Sequence, residues 1–198
     1  MKKFLLAATA MCLVTVSNAQ FIKSDFGASI FIGSASLTKG GETVKLQPSF
    51  YGVSWYPRFM LGSSVSVGVP LTLGFSGSFN SREGGSFSFG LDAPVAVDYN
   101  FGYGAAGPDE ESESGFGGFV GAGFGYTKTA AATPDNYNTT IWNEADFSAS
   151  RSYGPMAHAG VRFPIQQGDR SITIRLSYKK GLETEKFNFF GGTLLYGF

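Results

Sequence analysis

The sequence of 198 residues is poor in several things at once: one cysteine, one histidine, and no excess of either charge, with 15 Lys and Arg against 15 Asp and Glu. Each scarcity excludes something. A single thiol at Cys12 cannot close a disulfide within the chain, so no cross-linked framework holds the fold. Balanced charge leaves no electrostatic footprint for nucleic acid, which is not an expected partner. Past the N-terminus there is no long uncharged apolar run, and therefore no segment that reads as a membrane-spanning helix.

The one apolar run, Phe4 to Val16, follows Lys2 and Lys3 and leads into the small residues Ser17-Asn18-Ala19. This pattern predicts a secretory signal peptide over residues 1–19, cleaved before Gln20. It is shorter than the roughly 17 to 25 residues that a spanning helix needs. Cys12 lies inside it, with Thr9 and Met11 where a lipidation site would want an aliphatic and a small residue. Processing leaves residues 20–198 as one domain with no cysteine, and 13 cations against 15 carboxylates.

The abundant residues are 20 Phe, nine Tyr and 28 Gly. A soluble core rarely needs so many aromatics together with so much conformational freedom. A narrow β-barrel in lipid needs both, because aromatics cover the outer face and the interfaces while Gly and Ser fill the lumen and permit strand curvature. The spacing agrees. From Val65 to Phe79 the odd positions are nearly all large and apolar and the even ones small, a period of two sustained beyond the usual strand of about 5 to 6 residues. Phe87 to Tyr103 repeats it, with Phe87, Phe89, Leu91, Val95, Val97, Tyr99 and Phe101 on one face and Ser88, Gly90, Asp92, Asp98 and Asn100 on the other. Further strands are predicted over 26–32, 51–59, 116–126, 153–163, 172–178 and 189–198. The total is eight, an even number that puts both ends of the chain on one side. The connections at the opposite side are then 34–46, 80–85, 128–149 and 180–186. Those on the side of the termini are 61–63, 104–115 and 165–169.

The chain ends on Gly192-Thr193-Leu194-Leu195-Tyr196-Gly197-Phe198, with Phe190, Leu194, Tyr196 and Phe198 on one face. This ending resembles the signal by which barrel-assembly machinery recognises its clients, with aromatics at Tyr196 and Phe198 and the usual glycine displaced from position 193 to Gly192. With the eight alternating segments, the chain resembles the OmpA/OmpX-type small outer-membrane β-barrels over essentially its whole mature length. The resemblance implies an eight-stranded antiparallel up-and-down barrel, monomeric, in the outer membrane of a Gram-negative bacterium. Its implied partners are outer-membrane lipid, the assembly machinery and an extracellular ligand of unknown identity. Members serve structural, adhesive or host-contact roles. The terminal Phe of such barrels faces the periplasm, which turns 34–46, 80–85, 128–149 and 180–186 outward.

The lumen face is expected to collect Asp25, Asp92 and Asp98 against Arg58, Arg162, Arg175 and Lys179, with His158 beside Arg162. A lumen of eight strands is just wide enough for side chains to fill. Unpaired charges there are costly. Pairing is therefore expected, of Asp25 or Asp98 with Arg58 and Arg162 near the chain ends, and of Asp92 with Arg175 nearer the middle. Catalysis would need a nucleophile and an orienting acid around His158, and Met156-Ala157-His158-Ala159-Gly160 contains no serine. No residue is assigned catalysis, and no cofactor or metal is expected. Lipid A acyltransferases and deacylases of similar size, which use His with Ser, supply the competing enzyme reading, and a charged conduction path the competing channel reading. Asp109 to Glu113 lacks the glycine and ligand spacing of a calcium loop and reads as a solvated turn. The segment 128–149 mixes turn formers with Tyr137 and Trp142, as a surface recognition loop would, and its Asn138-Thr139-Thr140 matches a glycosylation acceptor only formally. Trp55, Tyr56, Tyr99, Tyr103, Tyr126, Tyr178 and Tyr196 are expected at the lipid headgroups near strand ends.

Overall fold

The computed structural model describes residues 21–80, 84–105, 115–129, 150–165, 170–182 and 187–198. The expected signal peptide, the acidic run 109–113 and nearly all of the loop 128–149 lie outside the described residues. Alternating sequence becomes ten strand segments: β1 (Phe21–Lys39), β2 (Glu42–Leu46), β3 (Ser49–Met60), β4 (Val65–Gly68), β5 (Leu71–Asn80), β6 (Gly84–Gly102), β7 (Gly117–Thr129), β8 (Ser150–Pro164), β9 (Ser171–Lys179) and β10 (Asn188–Gly197). They build a ring of eight antiparallel strands, because two of the eight are each interrupted once.

Both interruptions occur at proline, which cannot donate to a ladder. Pro48 separates β2 from β3, yet its carbonyl still accepts from the Gly33 amide at 2.6 Å. Pro70 separates β4 from β5, and both pieces pair with β3 on one side and β6 on the other. Elsewhere neighbours in sequence are neighbours in the ring. Pairing of β1 with β10, from Asp25 opposite Gly197 to Ser34 opposite Asn188, closes it and leaves no free edge in the ring among the described residues.

Residues 34–46 are not the loop expected from the sequence. They extend β1 and form β2, paired from Ala35 opposite Leu46 to Lys39 opposite Glu42. The turn is Gly40-Gly41, with φ of 59° and 83°. Two successive left-handed residues make a type I′ hairpin turn, which suits the twist of the flanking strands and which glycine adopts without a Cβ penalty. The signal was in the sequence as Lys39-Gly40-Gly41-Glu42 between two short alternations.

Facing outward are Ile22, Phe26, Ile30 and Ile32 on β1, Tyr51, Val53 and Trp55 on β3, and Ile172, Ile174, Leu176 and Tyr178 on β9, all exposed. Inside, the barrel is filled in two zones. Toward the loop end, Phe31, Phe50, Phe187 and Phe189 join Ala35, Val44 and Leu46 in an apolar plug. Toward the chain ends the filling is polar and charged.

Candidate functional site

The charged half of the lumen is assembled by alternation. Every second residue of a strand points inward, so Tyr56 and Arg58 on β3, Asp98 and Asn100 on β6, His158 and Arg162 on β8, and Thr173 and Arg175 on β9 meet in one space. The eight residues expected there from the sequence, Asp25, Arg58, Asp92, Asp98, His158, Arg162, Arg175 and Lys179, are each exposed by 5% or less.

Their pairing departs from expectation in two of three places. Arg58 Nη2 donates to Asp25 Oδ2 at 2.7 Å, one of the expected pairs. Asp98 instead takes His158, with Nε2 to Oδ1 at 2.6 Å, and its other oxygen accepts from the Tyr56 hydroxyl. Asp92 takes Lys179 rather than Arg175, at 3.3 Å, and accepts from the Thr127 hydroxyl as well. Arg162 reaches a neutral acceptor, Asn100 Oδ1, at 2.9 Å, and Arg175 reaches Thr193 Oγ1 at 3.2 Å. The cause is reach across the ring: strand neighbours in sequence do not bring these side chains together, whereas stagger between β6 and β9 brings Lys179 to Asp92.

One glycine makes the Asp98–His158 contact possible. Asp98 on β6 is opposite Gly121 on β7, and Gly121 is opposite His158 on β8. The two side chains bond over the intervening strand, and a Cβ on Gly121 would fall on Asp98 Oδ1 and His158 Nε2. Tyr56 fills the lumen in the same way, lying over Gly68. It is therefore no headgroup aromatic, as the sequence reading had it, but a fully buried one. Trp55 and Tyr56 are consecutive in a strand and must face opposite sides, which was the available signal.

Two features were not singled out from the sequence. Asn100 donates to Ser66 Oγ at 2.9 Å while accepting from Arg162, so it joins β4, β6 and β8. A hydroxyl belt crosses the closure of the ring: Ser54 bonds Thr72 at 2.6 Å and Ser29, and Ser29 donates to Thr193 at 2.7 Å. Short hydroxyls carry no pattern that distinguishes a belt from ordinary lumen filling, so only the register reveals it.

Cations also lie on aromatic faces. The Arg162 guanidinium is 4.6 Å from the Phe119 ring centre, and those of Arg58 and Arg175 are 5.3 and 5.5 Å from that of Tyr56. His158 is enclosed by the same rings, with Phe119 edge-on at 5.4 Å. Among the described residues no three His, Cys, Asp or Glu are grouped to hold a metal. The arrangement braces strands that are not hydrogen-bonded to one another and closes the lumen with charge in the middle.

Solved structures share this backbone. The outer membrane protein OprG from Pseudomonas aeruginosa superposes over 89% of this chain and 92% of its own, at 10% identity and a TM-score of 0.51. Neisserial surface protein A (NspA) matches over 88% of this chain and 94% of its own, at 13% identity and 0.46. Ail, the attachment invasion locus protein of Yersinia pestis, in complex with the heparin analogue sucrose octasulfate, matches over 88% and 97%, at 12% identity and 0.45. No protein-family model and no curated protein matches the sequence. The fold is that of a small eight-stranded outer-membrane β-barrel, a likeness of backbone rather than of side chains.

Proposed function

We propose that this protein is an integral barrel of the Gram-negative outer membrane with a structural or surface-interaction role, its loop end presented to the environment. The inside-out distribution of side chains carries this reading. A contiguous apolar surface encircles the barrel while charges fill its interior, the reverse of a soluble protein and stable only against lipid.

The outward face also changes character where a membrane would end. On β1 it runs Phe26, Ile30, Ile32 and then Ser34, Ser36, Thr38, all exposed. On β7, β8 and β9 the rings of Tyr126, Tyr153 and Tyr178 give way two residues further to Lys128, Arg151 and Lys180. Aromatics followed by cations match the passage from hydrocarbon through headgroups to water. The hairpin 34–46 then stands outside the membrane and offers a surface for an extracellular ligand.

At the other end Phe198, 64% exposed, stacks on Phe26 with ring centres 5.8 Å apart, and Tyr196 lies beside it at 6.3 Å. These outward aromatics support a role for Tyr196 and Phe198 as the assembly signal, read while the last strand is still unpaired. A lipid-modifying enzyme is disfavoured because the His158 side chain is sealed between Asp98, Tyr56 and Phe119, out of reach of any lipid.

The test combines two measurements on one strain. Folded barrel extracted from outer membranes should migrate differently in SDS electrophoresis before and after boiling. On intact cells a membrane-impermeant maleimide should label Thr38→Cys and spare Ser63→Cys, which lies in the turn at the chain-end side. Protein recovered as a soluble, unshifted band would discard the membrane reading; labelling of Ser63→Cys alone would invert the orientation and remove the surface role of the hairpin.

A further inference from the structure

Three cations stand together on the outer surface, at the loop-end margin of the apolar face. Lys128 on β7 and Arg151 on β8 are direct register partners, and both are exposed. Cross-strand partners place their Cβ atoms about 4.5 to 5.5 Å apart, and like charges so placed repel. Lys180, also exposed, follows β9 on the next strand of the ring, where its amide donates to the Pro155 carbonyl at 3.0 Å. Pro155 is about 13 Å along β8 from Arg151 at the usual strand rise, so the exposed ring of Tyr153 stands between the two cations.

No carboxylate among the described residues relieves this repulsion. Asp25, Asp92 and Asp98 are buried in the lumen and engaged there, and Glu42 is opposite Lys39 in the hairpin. The cluster is also confined to one sector and one end. On β10 and β1, the next strands round the ring, the outward residues at the loop end are the uncharged Asn188, Ser34 and Ser36. At the chain end of β7, β8 and β9 they are Phe116, Phe163 and Ile172, with Arg170 just before β9. Interfacial anchoring alone gives no reason for this asymmetry, because headgroups surround the whole barrel at both margins. Below the cations the surface turns aromatic at once: Tyr126 and Tyr153 are register partners, and the rings of Phe124 and Tyr153 lie 6.2 Å apart. A charged head and an apolar tail fit the same strip of wall.

We propose that Lys128, Arg151 and Lys180 form a binding site for a phosphorylated glycolipid of the outer leaflet, of the lipid A class. The planar guanidinium of Arg151 takes two oxygens of one phosphate monoester, Lys128 adds a point charge to the same group, and Lys180 meets a second phosphate of the headgroup. The acyl chains run down the wall past Tyr126, Tyr153 and Phe124. A phosphodiester lipid with a single charge engages only part of this site. The inference rests on the membrane reading and orientation proposed above, in which the outer leaflet surrounds the loop end.

Native mass spectrometry of the full barrel, released from neutral detergent after mixing with defined lipids, decides it. The parent protein should retain one bisphosphorylated lipid A roughly tenfold more tightly than lipid A stripped of its phosphates, and more tightly than phosphatidylglycerol, through its charge-assisted hydrogen bonds. Lys128→Gln combined with Arg151→Gln should remove that preference and Lys180→Gln should reduce it, whereas Arg170→Gln, at the opposite margin, should leave it unchanged. All four side chains are exposed, and the shift on boiling establishes that each variant is folded. Equal retention of phosphorylated and stripped lipid by the parent, or a preference that survives the double substitution, overturns the site. Inorganic phosphate held as tightly as lipid A also overturns it, since the site would then read a free anion. A soluble, unshifted band fails the membrane reading itself; a shifted band without lipid selectivity fails this proposal alone.

Discussion

The two halves of the lumen are filled by opposite chemistry. Near the chain ends, Asp98, His158, Tyr56 and the arginines meet in a hydrogen-bonded lattice; near the loops, Phe31 stacks on Phe50 with ring centres 4.7 Å apart, and Phe187 and Phe189 stack at 6.4 Å. Both halves exclude solvent, but they depend on their partners differently. A phenylalanine in the plug is held by many small dispersion contacts that tolerate modest rearrangement. An ionised group in the lattice is held by one or two specific partners, and removing one strands the other. The plug continues into the hairpin, whose inward Ala35, Val44 and Leu46 join it while Ser36 and Thr43 face out. The apolar filling thus seals the end that carries the loops, whereas the lattice ties together strands in the body of the barrel.

Asp98→Ala sets the upper end of this contrast. It leaves His158 and Tyr56 without their acceptor and leaves the arginines with one fewer counter-charge, so a loss of about 3 to 5 kcal/mol is expected in urea unfolding of the refolded barrel. A loss below about 1 kcal/mol would mean that the lattice is not a unit and that water replaces Asp98 freely.

Phe50→Ala is expected to cost about 3 kcal/mol, at the lower end for a buried phenylalanine, because the plug can settle around the space from the loop end. Its loss should be recovered largely by Phe50→Leu, whereas no apolar replacement should recover Asp98. If Asp98→Leu and Phe50→Leu behave alike, the distinction between the two halves disappears.

Gly41→Ala tests whether the hairpin depends on its turn. The backbone there has φ of 83° and open space around an added Cβ, so the cost is conformational alone, about 1 kcal/mol, and local to the hairpin. Hydrogen exchange should quicken at residues 35–46 and stay unchanged at Ser29, Ser54 and Thr193. Faster exchange at those three would tie the hairpin to the body of the barrel.

Much of this was legible beforehand. The alternation in Val65 to Phe79 and Phe87 to Tyr103 is strong because lipid and lumen impose opposite demands on successive residues, and the strand count and ring order follow from it. The inward direction of Asp25, Arg58, Asp92, Asp98, His158, Arg162, Arg175 and Lys179 is a consequence of the same parity. Tyr56 was misread because proximity to a strand end was weighed above parity with Arg58. The hairpin at 34–46 was missed because five-residue alternations that include Ser and Thr look like loop, and Gly40-Gly41 gains its meaning only when Ala35 and Leu46 are known to pair.

By itself, then, the order of residues determined the barrel class and which face each side chain takes, because a strand has a period of two and a lumen and a lipid surface select opposite polarities. Partner choice was decided only by the tertiary structure. Whether Asp92 meets Arg175 or Lys179 depends on the stagger of strands three apart in the ring, and whether Asp98 can cross to His158 depends on Gly121 standing between them. Both are distances between residues that alternation alone leaves undetermined.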